Sequence, residues 1–145
     1  FNTISKYRRA DCICLSEKEL RLEARNTRKD LRLMMAETAE KLACQRMVIT
    51  RGREGCLCYH VKEGFVSVPA FTMRIVDRIG AGDALLAVSA LAAAQGVPMD
   101  VVGFLGNVVG AQAVETVGNR SVVSRATILE RVDALLSREP WKTGP

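Results

Sequence analysis

Short apolar runs alternate with amphipathic stretches over the first part of the chain. Residues 10–15 (ADCICL) and 47–50 (MVIT) are apolar runs of strand length, which predicts two buried strands. Between them, residues 16–19 have the S-x-x-E form of a capping box, so a helix should begin there and run to about Arg25. Residues 27–43 then carry apolar side chains at helical spacing, and this pattern predicts a second, amphipathic helix.

The second half of the chain predicts a β-hairpin followed by three helices. Residues 56–61 and 65–69 are rich in residues that favour strands, and the turn between them contains Gly64. Residues 74–76 add a short extended piece. The helices are expected over residues 80–95, 100–117 and 125–136. Gly96 and Pro98 should end the first of them, and Ser124 should cap the last.

This order of elements indicates an α/β layered domain, because strands and helices alternate early and helices finish the chain. At 145 residues the chain suits one domain with a core of its own. We expect that domain to cover residues 1–137, and residues 138–145 to form a loose tail or linker.

The composition is that of a globular protein, with 48% hydrophobic and 26% charged residues. No apolar run approaches the roughly 18 residues of a membrane span, and no basic segment followed by an apolar leader is visible. These features predict a cytoplasmic protein with no membrane partner. The chain begins with Phe1 rather than Met, so we expect it to be processed or cut from a longer protein.

The net charge of +5 is concentrated in the first part of the chain. The residues responsible are Lys6, Arg8, Arg9, Arg21, Arg25, Arg28, Lys29 and Arg32. Such a basic surface could attract nucleic acid or a phosphorylated metabolite. However, acidic residues alternate with these charges and no aromatic residues are interleaved among them to stack bases. This pattern favours a solvated helix face, and we expect no nucleic-acid partner.

The five cysteines do not have the spacing of a metal or disulfide framework. Two pairs, Cys12 with Cys14 and Cys56 with Cys58, have C-x-C spacing within predicted strands, so both members of a pair should point to one face. His60 is the only histidine, which disfavours a zinc site. The pattern favours buried, reduced thiols.

The segment Gly80-Ala81-Gly82-Asp83 is the strongest candidate for chemistry. Small residues just before a helix leave backbone amides open at the positive end of the helix dipole, which suits an anion such as phosphate. Asp83 follows in the first turn, where a carboxylate could take a proton from an attacking hydroxyl. The alternative is that Asp83 only stabilises the helix N-terminus, where acidic residues are favoured.

Residues 77–90 (DRIGAGDALLAVSA) resemble the second signature of the ribokinase-type, or PfkB family, sugar kinases. The resemblance implies that Gly80, Ala81 and Gly82 form an anion hole for the transferred γ-phosphoryl group. It also implies that Asp83 deprotonates the sugar hydroxyl. Arg78 departs from the usual Thr or Ser, and Val88 from the usual Gly or Ala.

Three further segments follow in the family's order. Residues 48–55 resemble the V-T-x-G-x-x-G strand end, which implies that Thr50 and Gly52 lie near the nucleotide. The alternative is that they form an ordinary junction between a strand and a turn. Residues 14–17 occupy the place of N-x-x-E, a motif tied to magnesium and phosphate placement. Here Glu17 matches, which implies an indirect role in metal binding, while Cys14 replaces the asparagine. Residues 106–111 resemble the small-residue helix beside the adenine pocket, with Asn107 as the polar contact and Ala111 as a further nucleotide-binding residue. Close packing of helices explains these small residues equally well.

The resemblance therefore implies the C-terminal half of a ribokinase-like layered fold, a mostly parallel sheet with a β-hairpin flanked by helices. It implies ATP, Mg²⁺ and a monovalent cation as cofactors, and phosphorylation of a hydroxyl on a sugar or sugar phosphate. The heptose-phosphate kinases that are often joined to a nucleotidyltransferase are the nearest type. Family members are about twice as long, so the missing N-terminal half should carry most sugar contacts and a lid that often mediates homodimers. The alternative is an isolated nucleotide-binding or interaction fragment without kinase activity of its own.

Overall fold

A computed structural model of the chain describes residues 4–71, 80–114 and 124–137. Four strands form one sheet in the order β1-β2-β3-β4, and five α-helices accompany it in these ranges. The elements are β1 (Cys12–Ser16), α1 (Glu17–Glu23), α2 (Leu31–Leu42), β2 (Arg46–Thr50), β3 (Cys56–His60), β4 (Gly64–Val68), α3 (Ala81–Ala94), α4 (Met99–Val114) and α5 (Arg125–Ser137). The predicted α/β class is confirmed. The predicted extended piece at residues 74–76 and the tail at 138–145 lie outside the described residues.

The capping box predicted at the end of β1 is present. The Ser16 hydroxyl accepts a hydrogen bond from the Glu19 amide at 3.3 Å, and the Glu19 carboxylate accepts one from the Ser16 amide at 2.7 Å. These bonds give acceptors to the backbone amides of Ser16 and Glu19, which have none within the helix. The chain therefore turns from strand to helix without an intervening loop.

Helix α2 begins four residues later than predicted, at Leu31 rather than at residue 27. Asp30 is the N-cap, and its side chain accepts from the Leu33 amide at 3.0 Å. The Asn26 side chain accepts from the amides of Arg28 and Lys29, which holds the preceding residues in a turn. Local side-chain acceptors thus compete with the helix for these backbone donors.

The predicted β-hairpin is present as β3 and β4, but the described sheet is mixed rather than mostly parallel. Only β1 and β2 pair in parallel, whereas β2 with β3 and β3 with β4 pair antiparallel. The reason is the length of the connections. Residues 51–55 and 61–63 are too few for a crossover, so each strand must fold back on its predecessor.

The sheet has a hydrophobic layer on each face, because successive side chains of a strand point in opposite directions. On one face, Met47, Ile49 and Leu57 pack with buried residues of α1 and α2. On the other face, Val48 and Cys58 pack with buried residues of α3 and α4. The sheet therefore lies between two helical layers.

Two glycines of α4 permit close packing. A Cβ atom on Gly103 would lie 2.6 Å from the Cys58 Sγ atom, and one on Gly106 would lie 2.6 Å from the Ser89 Oγ atom. Helix α4 thus approaches the sheet at Gly103 and approaches helix α3 at Gly106.

Within the described ranges, the helices lack the length and apolar character that crossing a membrane requires.

The cysteines follow the prediction of buried, reduced thiols in part. All five are free thiols, but only Cys44, Cys56 and Cys58 are buried, whereas Cys12 and Cys14 are partly exposed. The Sγ atoms of Cys56 and Cys58 are 3.7 Å apart, so both point to the same face of β3. The hydrogen bond with Cys56 and burial both raise the pKa of the Cys58 thiol, which keeps it protonated and unreactive.

Candidate active site

A cleft of about 840 Å³ lies between the carboxyl ends of β1 and β2 on one side and helices α3 and α4 on the other. Ligands of α/β proteins commonly bind at this edge of a sheet. Seven of the residues singled out in the sequence line the cleft. They are Glu17, Thr50, Gly52, Ala81, Gly82, Asn107 and Ala111. The structure thus brings together segments that are far apart in the chain.

The cleft has two chemically different walls. The strand ends contribute four basic side chains and two carboxylates, with Arg51 and Lys18 among the cations. Helices α3 and α4 contribute small and apolar residues such as Leu85, Ala111 and Val114. Phe71 also lines the cleft and makes an edge-to-face contact with Phe104, with ring centroids 5.1 Å apart. The arrangement suits a ligand that has both an anionic and an apolar part.

The N-terminus of α3 is open to the cleft. Its N-cap, Gly80, has a φ of +80°, a conformation that glycine adopts without steric cost, and it has no side chain to cap the helix. The Gly80 carbonyl accepts from the Ala84 amide at 2.9 Å, so the preceding amides of the first turn have no acceptor within the helix. A Cβ atom on Gly82 would meet no protein atom within 4 Å. Backbone donors and free space therefore coincide where an anion would bind.

Asp83 lies in the first turn of α3, directly after Gly82, and its side chain is exposed. Its carboxylate is outside the set of cleft-lining groups, and so is Gly80. Each is adjacent in sequence to a residue that does line the cleft. Their roles as base and anion-hole residue stay predictions, and Arg78 lies outside the described residues.

The Thr50–Gly55 segment shapes the strand-end wall. Thr50 is paired with Ser16 in the parallel register, and its hydroxyl is 3.5 Å from the Leu15 carbonyl oxygen. Gly52 has a φ of +60° and free space around its Cβ position. Gly55 has a φ of +84°, and a Cβ atom there would lie 2.0 Å from the Val68 carbonyl oxygen, so glycine is required.

Glu17 is the centre of an ion-pair network. Its Oε1 atom accepts from Arg21 Nε at 2.8 Å, and its Oε2 atom accepts from Arg51 Nε at 3.1 Å. Partial burial raises the pKa of Glu17, but the hydrogen bonds and charges of the two arginines outweigh it and lower the pKa overall. The carboxylate is therefore ionised and already neutralised by protein groups.

This network does not fit direct coordination of Mg²⁺ by Glu17. Magnesium binds a carboxylate oxygen directly at about 2.0–2.1 Å, and each oxygen of Glu17 already accepts a hydrogen bond from a guanidinium group, which disfavours a direct bond to the ion. Within the described ranges, no group of three or more His, Cys, Asp or Glu side chains could hold a metal ion. The sequence predicted only an indirect part for Glu17 in magnesium placement, and that part stays a prediction. The arginine partners of Glu17 were missed, because no local spacing reveals them.

Asn107 has a structural role in the cleft wall. Its Nδ2 atom donates to the carbonyl oxygens of Val68 at 3.1 Å and Pro69 at 3.0 Å. Gly110 and Ala111, one turn later, line the cleft. The sequence left open whether the small residues of α4 permit close packing or border a ligand pocket, and both occur. Gly103 and Gly106 pack closely against neighbouring elements. Gly110 and Ala111 border the cleft.

Comparison with protein-family models matches residues 2–126 to the family described as "pfkB family carbohydrate kinase". Among curated proteins, the bifunctional protein HldE of Geobacter metallireducens is 36% identical over 136 residues, covering 88% of this chain and 26% of that protein. Inositol 3-kinase of Arabidopsis thaliana is 35% identical over 85 residues, covering 59% of this chain and 23% of that protein. The chain thus spans about a quarter of the length of the curated relatives that it matches.

Solved structures agree on the fold. Phosphofructokinase-2 of Escherichia coli in complex with potassium superimposes with a TM-score of 0.77 at 20% identity, covering 92% of this chain and 43% of that one. Ribokinase of Thermotoga maritima also gives a TM-score of 0.77 at 20% identity, covering 88% and 43%. A nucleoside kinase of Burkholderia thailandensis in complex with inosine gives 0.72 at 26% identity, covering 90% and 42%.

Proposed function

The chain belongs to the pfkB family of carbohydrate kinases, and from this premise we propose that it supplies the nucleotide site and catalytic base for phosphoryl transfer from ATP to a hydroxyl of a sugar or sugar phosphate. The family resemblance drawn from the sequence is confirmed. What we propose beyond the family is the position of the ATP site, the identity of the catalytic base and the class of substrate.

The observation that carries the proposal is the open N-terminus of α3. Uncapped amides beside Gly82 face free space, and Asp83 follows in the same turn. Amides at a helix N-terminus stabilise negative charge on a transferred phosphoryl group, and a neighbouring carboxylate can accept a proton. We assign Gly80, Ala81 and Gly82 to the anion hole and Asp83 to the base.

The two walls of the cleft suit the two parts of a nucleotide. The basic wall beside Thr50 and Gly52 suits the phosphate chain of a nucleotide, and the apolar wall beside Asn107 and Ala111 suits its adenine ring. The Asn107 amide is engaged by backbone carbonyls, so we assign it to the shape of this wall.

The chemistry that we propose is an in-line displacement. The substrate hydroxyl oxygen forms a bond to the γ-phosphorus of ATP, and the bond from that phosphorus to the bridging oxygen of ADP breaks. Asp83 takes the hydroxyl proton. The α3 amides hold the equatorial oxygens of the migrating group, so catalysis consists mainly of positioning and electrostatic stabilisation.

Magnesium would supply charge neutralisation on the phosphates when it is bound. Because Glu17 is held by two arginines, we assign no protein ligand to the metal and derive no step from it. A requirement for a monovalent cation stays an expectation from the family.

We further propose that the chain works with an N-terminal half, and we call the two together the whole kinase. The supporting observation is α3, a helix that is apolar on nearly all sides, with Leu91 70% exposed and Leu86 42% exposed. Helices of this kind are normally buried. The sugar-selecting residues are then outside this chain, and the chain alone binds nucleotide without turnover.

Calorimetry and a kinase assay test the proposal together. The 145-residue chain and the whole kinase are each titrated with ATP and Mg²⁺, and each is assayed with sugars and sugar phosphates. We expect ATP binding by both and turnover by the whole kinase. Absence of ATP binding in the whole kinase would overturn the assignment of the cleft, and turnover by the chain alone would refute the division of labour.

A further inference from the structure

Arg51 lines the cleft, and its guanidinium group is held by two carboxylates. It directly follows Thr50 at the end of β2, and its side chain is 28% exposed. Its Nε atom donates to Glu17, and its Nη2 atom forms an ion pair with Glu54. Two carboxylates on different elements therefore fix the plane of the guanidinium group at the cleft wall.

The guanidinium groups of Arg51 and Arg21 differ in how many of their nitrogens have a protein partner. Arg21 uses Nε and Nη2 on Glu17 and Nη1 on the carbonyl oxygens of Thr27 and Lys29. In the described part of the chain, the contacts of Arg51 use Nε and Nη2, and no acceptor engages its Nη1 atom. Its partner Glu54 is 65% exposed, so a phosphate group could replace that carboxylate at little cost. Arg51 is thus held in place and still able to bind a ligand.

We propose that Arg51 contacts the phosphate chain of the bound nucleotide, and that Glu17 is the positioning residue that orients the guanidinium group rather than a magnesium ligand. This inference rests on the proposed function, because it names how the same cleft recognises ATP. A planar guanidinium group matches the geometry of phosphate oxygens, and holding it in advance reduces the entropy lost on binding.

The other exposed cations of the cleft are weaker candidates. Lys18 and Arg53 are exposed at the cleft margin. Solvent screens such charges, and ordering a long side chain on binding costs rotamer freedom. Arg51 is less screened by solvent because it is partly buried. It also loses less rotamer freedom on binding, because Glu17 already holds its guanidinium group.

The test is a binding series on the whole kinase with AMP-PCP, a triphosphate that is not turned over, and with adenosine. Each is measured by calorimetry with Mg²⁺ and again with EDTA. The variants are Arg51→Met, Arg51→Lys, Glu17→Gln and the double variant. Arg28→Met is the control, because Arg28 is an exposed arginine outside the cleft. Thermal unfolding establishes that each variant is folded.

We expect Arg51→Met to weaken AMP-PCP binding about 10- to 100-fold, the scale of losing charge-assisted hydrogen bonds, and to leave adenosine binding within about twofold. Arg51→Lys should lie between wild type and Arg51→Met, because it keeps the charge and loses the planar fork. Arg28→Met should change neither ligand's affinity by more than about twofold.

Glu17→Gln separates three explanations. Positioning predicts binding about fivefold weaker, equally in Mg²⁺ and EDTA, and no further loss when the change is added to Arg51→Met. A metal-ligand role predicts weakening in Mg²⁺ alone, and a simple charge effect predicts tighter binding. Either of these two results overturns the inference, as does unchanged AMP-PCP affinity in Arg51→Met. Wild-type protein that binds no AMP-PCP refutes the proposed function itself.

Discussion

Asn107 donates its side-chain amide to the carbonyl oxygen of Val68, 3.1 Å away, and so fastens the middle of α4 to the end of β4. A second bond from the same nitrogen reaches Pro69 at 3.0 Å. Asn107 is 9% exposed, so both bonds form where water has little access. They fix the position of the helix that borders the cleft.

Replacing Asn107 with Ala should destabilise the protein by about 1–3 kcal/mol, because two carbonyl oxygens lose their donor in a buried place. Urea unfolding measures the change in the free energy of unfolding. Gln45→Ala removes an exposed side-chain amide and should stay within about 0.5 kcal/mol of wild type. Equal stability of the Asn107 variant and wild type would show that these bonds have no net effect.

Gly103→Ala should cost about 1–3 kcal/mol through overpacking. The added methyl group would lie 2.6 Å from the Cys58 Sγ atom and 2.9 Å from the Val68 Cγ2 atom, so α4 must move away from the sheet. Adding Cys58→Ala should restore part of the loss, because one of the two clashes is removed. A Gly103→Ala protein as stable as wild type would contradict the close approach of α4 to β3.

Gly82→Ala should behave in the opposite way. The new methyl group meets no protein atom within 4 Å, so stability should be unchanged or raised slightly by the better helix former. The same methyl group enters the space where the phosphate is proposed to bind. AMP-PCP affinity, measured by calorimetry on the whole kinase, should fall about tenfold or more. Unchanged affinity would place the phosphate elsewhere.

The pairing of Glu17 with Arg21 and Arg51 should make stability depend on pH. Burial alone raises the pKa of Glu17, but its arginine partners lower it below the ordinary value of 4.5. The stabilisation is therefore complete above pH 4.5 and is lost as pH falls through the lower folded-state pKa. Glu17→Gln should be about 1 kcal/mol less stable than wild type at pH 7, and this difference should shrink in acid. A difference independent of pH would contradict the ion pairs.

Local signals in the sequence predicted much of the fold. The Ser16 capping box acts through residues three apart, so its four letters suffice to predict where α1 begins. The antiparallel β3–β4 hairpin was predicted, but the antiparallel pairing of β2 with β3 was not, because it depends on the short connection at residues 51–55, whose length excludes a crossover. The start of α2 was missed because Asn26 and Asp30 compete for backbone donors.

The candidate site was predictable to the extent that short motifs carry it. The motifs led to Thr50, Gly82 and Asn107, which the fold brings to one cleft. The contact between Glu17 and Arg51 joins residues 34 positions apart across two strand ends, and no spacing rule reveals it. The two functions of small residues in α4 were also inseparable in the sequence, since Gly103 and Gly110 look alike until their neighbours are known.

The catalytic role of Asp83 is the central claim, and turnover of Asp83→Asn in the whole kinase tests it most directly. Asparagine keeps the shape of the side chain and removes its capacity to accept the proton. We predict that AMP-PCP affinity stays within about twofold of wild type, while turnover falls about 10²–10⁴-fold, the usual scale of general-base catalysis. Turnover close to that of wild type would contradict the account.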